Sequence, residues 1–240
     1  MTFRGLSTFF IGRKFMSDVK ILFRKMLENQ AALNSAAYSE TWLEKGASGE
    51  WNYSLAASQE IAEFINSYWL PWWSKAERDI ANCRIELVDA LHFMMSDLLI
   101  EMDGDIEKAV DVMFTDYEES VELVYAGVLE FGELTTDTTL VCAQSLQGAL
   151  NAFPMSAMIS FFMLCGTIKF SVNQLYALYM GKSELNKFRQ DHGYKQGKYK
   201  KLWDGKHEDN HFLSIWIAEQ EVTPTPSVIR AFLETEYAKY

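Results

Sequence analysis

Proline is scarce in this chain. Among 240 residues there are four, Pro71, Pro154, Pro224 and Pro226. Proline removes a backbone donor and breaks helix interiors, so long proline-free stretches rich in Ala, Leu, Met, Glu and Lys favour helix. Cysteine is nearly as rare. Cys83, Cys142 and Cys165 are an odd number and form no CxxC pair, which argues against a disulfide framework or a zinc site and for a reducing compartment. Positive charge is also short: 22 Lys and Arg against 33 Asp and Glu leave a net charge of −11. A chain of that sign is repelled by polyanions, so neither nucleic acid nor a membrane surface is expected as a general partner. The most apolar run, Ala152 to Ile168, is broken by Pro154 and Gly166 and falls short of the roughly 20 residues that span a bilayer; it reads as a buried core helix.

Residues 1–16 are basic and lack the long apolar core of a secretory signal. They read as a loosely attached N-terminal extension, on a protein expected in the cytoplasm; an organelle transit segment stays open. No repeat and no alternating apolar-polar run stands out. Helical spacing predicts helices over about Ser17–Ala37, Ser54–Tyr68, Ala76–Glu101, a fourth capped by Asp105 and ending near Phe131 at Gly132, Thr138–Ala152, and Met155–Met180 closed by Gly181. A loop is expected over Lys45–Asn52. Two short helices, Phe212–Glu221 and Pro226–Tyr237, follow an ordered loop over 186–210. The expectation is one all-α domain over residues 1–240.

Two groups of residues carry chemistry. Glu60 and Glu63 lie three apart on the second expected helix, and Glu86 and Asp89 three apart on the third. Residues at i and i+3 share a helix face, so each pair is a two-carboxylate claw. Apolar neighbours flank both, which turns them toward the interior, where like charges left unpaired are costly. A hard divalent cation such as Mg²⁺ relieves that crowding and keeps sites for phosphate oxygens. Solvated acidic faces are the bland alternative in so acidic a chain. A di-iron bundle would need Glu-x-x-His twice, and only Asp89-x-x-His92 comes near it.

The second group is residues 182–206, KSELNKFRQDHGYKQGKYKKLWDGK. Eight Lys and Arg against three acids make this segment +5 within an acidic chain. Arg forks and Lys point charges match phosphate oxygens, glycines allow close backbone approach, and Tyr194, Tyr199 and Trp203 offer stacking faces. A non-catalytic helical protein that binds an anionic partner through this segment remains the alternative of another class. No Ser-His-Asp or Cys-His set is apparent, so a metal-activated water is the natural nucleophile.

At these residues the chain resembles the dimeric dUTPases, within the all-α, MazG-like nucleotide pyrophosphatase superfamily. The resemblance rests on E-x-x-E at Glu60 and Glu63, on E-x-V-D-x-x-H-F from Glu86 to Phe93, and on GK-x-x-LN-x-FRQ-x-x-GY-K-x-G-x-YKK-x-W-x-GK from Gly181 to Lys206. It spans about residues 20 to 215, with the middle matching in helical character alone. The resemblance implies a homodimer and Mg²⁺-dependent hydrolysis of dUTP, with dUDP or dCTP as alternative substrates. Metal ligands would fall on Glu60, Glu63, Glu86 and Asp89, with Glu63 also handling the attacking water. Lys182, Asn186, Arg189, Lys195 and Lys201 would meet phosphates, and Tyr194 would pack near the deoxyribose. Gln30 and Asn34 would read the pyrimidine edge, with Trp73 near the base. Asn210 would help close the site, although one residue near His207 is inserted before it. The Met155–Ile168 helix is one candidate for the dimer interface.

Overall fold

Among the residues it describes, the computed structural model has ten α-helices. It describes the backbone of residues 4–38, 41–125, 137–152 and 156–240, and side chains over the same stretches except 4–15, 37–38 and 124–125. The helices are α1 (Arg4–Tyr38), α2 (Trp42–Ala47), α3 (Tyr53–Tyr68), α4 (Ile80–Glu101), α5 (Ile106–Tyr125), α6 (Thr138–Ala152), α7 (Ala157–Thr167), α8 (Val172–Asp191), α9 (Asp209–Ala218) and α10 (Pro226–Tyr237). Among the described residues there is no strand, only an isolated antiparallel bridge between Leu202 and Glu208. The all-α expectation holds.

α4 is the centre of the fold, because a wide apolar face runs its length: Ile85, Leu87, Val88, Leu91, Met95 and Leu99 are buried. α1, α2, α3, α5, α8 and α9 all pack against it. Phe23, Met26 and Leu27 of α1, Ile61 and Phe64 of α3 and Phe161 of α7 complete this core with no exposed area. Each such side chain contributes roughly 1.5–3 kcal/mol through burial. A second apolar cluster joins the end of α8 to the loop after it and to α9 and α10: Leu185, Phe188, Tyr199, Trp203, Leu213, Ile217, Ile229 and Leu233.

Several boundaries differ from the sequence reading for local reasons. Within the expected 45–52 loop, α2 already occupies positions 45–47. α4 starts at Ile80, not Ala76, because Asp79 is its cap and accepts the Asn82 N–H at 2.9 Å. Asp105 caps α5 as expected, accepting the Lys108 N–H at 3.1 Å. The expected end of that helix at Phe131 and Gly132 lies outside the described residues, as does Met155. The single helix expected over Met155–Met180 is two helices meeting at 106°. Lys169 adopts a φ of +54° at the break, and Ser171 forms a capping box with Gln174 that starts α8.

α8 then runs through Gly181 to Asp191. Gly181 does not end a helix; it lets α9 come close, since a Cβ there would meet Ile217 Cδ1 at 3.2 Å and Leu213 Cδ1 at 3.4 Å. The ordered loop therefore begins at His192 rather than 186. α7, read as a dimer face, buries Ala157, Met158, Phe161, Phe162, Leu164 and Cys165 within the chain, which leaves it little apolar surface for a partner.

Candidate active site

α3 and α4 bring three of the four carboxylates together. Oxygen atoms of Glu60, Glu63 and Glu86 all lie within 4.8 Å of one another. Burial, then the charges of Asp89, Glu63 and Glu86, push the Glu60 carboxyl up to about 7. Burial, then Asp89 and Glu63, does the same to Glu86, also to about 7. Asn82, one turn before Glu86, donates to its Oε1 at 2.7 Å and orients it. Asp89, whose charge acts on both glutamates, pairs with Lys182 Nζ at 2.9 Å. These are hard oxygen donors crowded with like charge, and their donor set fits a divalent cation such as Mg²⁺.

Asp89 also lines a cavity of about 420 Å³ whose other walls come from α1, the start of α3, α4, α8 and the turn after α8. Lys182, Asn186 and Arg189 reach it together because α8 is helical through all three, at i, i+4 and i+7. Tyr194 and Lys195 reach it from a single 3₁₀ turn whose flanking Gly193 and Gly197 take φ of +79° and +67°, a conformation that suits glycine. Gln30 and Asn34 of α1 line the cavity too. They are 3% and 2% exposed, so they do not form a solvated face.

Hydrogen bonds fix the polarity of that wall. Ser96 Oγ donates to the His92 carbonyl at 2.9 Å. Its only proton is then used, so it accepts from Gln30 Nε2 at 3.0 Å and Asn34 Nδ2 at 2.9 Å. Gln30 Oε1 must therefore face His92 Nδ1, 2.7 Å away, and Nδ1 carries the ring proton. Burial lowers the His92 pKa to about 4, so the ring is neutral. Its Nε2 is a buried acceptor with no partner among the described residues. Sequence alone singles out neither His92 as a wall residue nor Ser96 and Phe93, which also line the cavity. His92 and Phe93 lay within the quoted motif, whereas Ser96, one turn beyond, carried no signal of its own.

Asn210 comes to the site despite the inserted residue: its Oδ1 accepts from Lys182 Nζ at 2.7 Å and lies 3.3 Å from Arg189 Nη2. Two expected site residues stay outside. Lys201 pairs with Glu208 at 2.8 Å and is partly exposed, because the bridge between Leu202 and Glu208 turns that part of the loop back on itself. Trp73 is 67% exposed; it packs edge-on against Trp72 in the non-helical stretch between α3 and α4 and does not line the cavity. The +5 segment is also less free than its composition implies, since Lys182, Arg189 and Lys201 each already hold an acidic partner.

A cluster of carboxylates thus lies beside a cavity lined by Lys182, Arg189 and Lys195. The sequence model of the family described as dUTPase matches residues 22–194, and the chain belongs to that family of nucleotide pyrophosphatases. No curated protein matches the chain.

Proposed function

We propose that this chain hydrolyses dUTP to dUMP and pyrophosphate in a Mg²⁺-dependent reaction. The observation that carries the reading is the convergence of Glu60, Glu63 and Glu86 next to a cavity lined by Asp89, Lys182 and Arg189. Glu60, Glu63 and Glu86, with Asp89, would hold the cation. When bound there, Mg²⁺ supplies polarisation of phosphoryl oxygens and a lowered pKa for water.

The chain's own groups do the rest. Glu63, the exposed member of the cluster, takes the proton from the water whose oxygen bonds to the α-phosphorus. The bond from that phosphorus to the bridging oxygen breaks, and pyrophosphate leaves with the bonding pair. Lys182 and Arg189 neutralise the charge that grows on the leaving group. Asn186 and Lys195 complete the phosphate contacts, and Tyr194 packs against the deoxyribose. Lys201 and Trp73 are left out of this assignment for a single chain.

Gln30 and Asn34, on the cavity wall beside His92, would read the pyrimidine edge. The fixed orientation of Gln30 removes the amide flip that would suit both uracil and cytosine. By the resemblance to dimeric dUTPases we also place the protein in a homodimer, which a solution mass measurement checks. The test of the activity is a panel of dUTP, dCTP, dTTP and UTP, with pyrophosphate release measured in the presence of Mg²⁺. Preferential release from dUTP supports the reading; equal rates on dCTP, or no release from any nucleotide, contradicts it.

A further inference from the structure

Asp209 opens α9 with no exposed area, and the chemistry proposed above does not use it. Its Oδ1 accepts from Arg189 Nη2 at 2.6 Å and from the Asn210 backbone N–H at 2.8 Å. Its Oδ2 accepts from Arg189 Nε at 2.8 Å and from the Tyr199 hydroxyl at 2.8 Å. The carboxylate is thus fully engaged. Burial opposes its charge, but the bonds and charge of Arg189 hold its pKa below the ordinary carboxylate value. Tyr199 is fixed in turn: its oxygen accepts from Trp203 Nε1 at 3.1 Å, and its ring stacks on Tyr237 of α10 with centroids 5.1 Å apart.

This arrangement decides what Arg189 presents to the cavity. The Nε–Nη2 edge, the usual fork for a phosphate, is taken by Asp209. What remains at the Nη1–Nη2 end is Nη1 and the second N–H of Nη2, in long contacts of 3.3 Å with Asn186 and Asn210 respectively. Asp89 lies within electrostatic reach of Arg189 as well. An untethered guanidinium would be drawn toward that carboxylate, away from the phosphates and in competition with a cation.

We propose that Asp209 is a positioning residue: it aims the Nη1–Nη2 end of Arg189 at the substrate phosphates, and Tyr199, clamped by Trp203 and α10, sets the carboxylate. This rests on the reading of Arg189 as a phosphate ligand. Asp209, Tyr199 and α10 all lie beyond residue 194, where the family match ends.

The test is a double-mutant cycle read by calorimetry with Mg²⁺ and a non-hydrolysable dUTP analogue. Asp209→Asn keeps size and one acceptor but places an amide N–H₂ against a donor. It should weaken analogue binding by about tenfold or more, as loss of one partner from a buried charge pair does. In an Arg189→Ala background the same change should have no further effect, because the two act as one unit. Tyr199→Phe, which removes one bond to Oδ2 and the acceptor for Trp203 Nε1, should weaken binding by a smaller factor, again only when Arg189 is present; it serves if Asp209→Asn does not fold. The inference is overturned if Asp209→Asn binds like wild type, or if its loss persists undiminished in the Arg189→Ala background, which marks a general structural role. If wild type itself fails to bind the analogue, the nucleotide reading fails first and takes this inference with it.

Discussion

Glu86→Gln should stabilise the cation-free protein at alkaline pH, and the size of the effect follows from the crowding of the carboxylates. Glu86 is 7% exposed, and burial with the charges of Asp89 and Glu63 raises its pKa from 4.5 to about 7. At 1.36 kcal/mol for each tenfold step in proton affinity, this sets an upper bound of about 3 kcal/mol. Solvent reaching the exposed Glu63 screens the cluster and reduces the figure to roughly 1–2 kcal/mol. The sign is definite. A carboxyl whose folded pKa is raised binds its proton more tightly when folded, so its contribution to stability is lost as pH climbs from 4.5 through about 7 and is flat above. Glutamine removes that loss and keeps the Oε1 acceptor for Asn82. Melting followed by circular dichroism in chelator at about pH 8 should put the variant some 2–8 °C above wild type, at ~2–4 °C per kcal/mol, and the curves should converge by about pH 4. Added Mg²⁺ should reverse the order, since a ligand bound by the folded state alone at 100 times its Kd adds about 2.7 kcal/mol, and the variant has lost a ligand. A variant that melts below wild type at high pH in chelator, or a difference that ignores pH, would refute the reasoning.

Three further outcomes are expected. Glu63→Gln should lower turnover by well over ~10²-fold with melting preserved; near-normal turnover removes Glu63 as the proton acceptor. Arg189→Ala should lose ~2–5 kcal/mol of triphosphate affinity, because its contact is charged and buried; unchanged affinity by calorimetry places Arg189 outside the site. Excess chelator should abolish pyrophosphate release and added Mg²⁺ should restore it; activity that survives chelation points to other chemistry.

The fold class was legible because proline scarcity and helical spacing are local signals that tertiary packing reinforced. The carboxylate claws were legible for the same reason: i and i+3 on a helix is geometry that one sequence states directly. Boundaries that depended on tertiary contact were not. Gly181 carries the same letter whether it ends a helix or admits Ile217, and only the neighbouring α9 decides. The break between α7 and α8 did have a local signature, Ser171 followed three residues later by Gln174, but the apolar run across it masked the signal. Lys201 and Trp73 show the limit of motif matching. A charge in a basic string or a tryptophan near a helix end fits a motif, yet a nearby Glu208 or an outward-facing segment determines where the side chain goes. The acceptor at His92 Nε2 was out of reach of sequence altogether, because it follows from a chain of donors running through Ser96 and Gln30.

The central claim is tested most directly by crystals grown with Mn²⁺ in place of Mg²⁺ and a non-hydrolysable dUTP analogue, with the metal located by anomalous diffraction. The account predicts a peak among Glu60, Glu63 and Glu86, the phosphates toward Lys182 and Arg189, and the uracil edge at Gln30 and Asn34. Metal bound elsewhere, or an analogue lying outside the cavity between α1, α4 and α8, would contradict it.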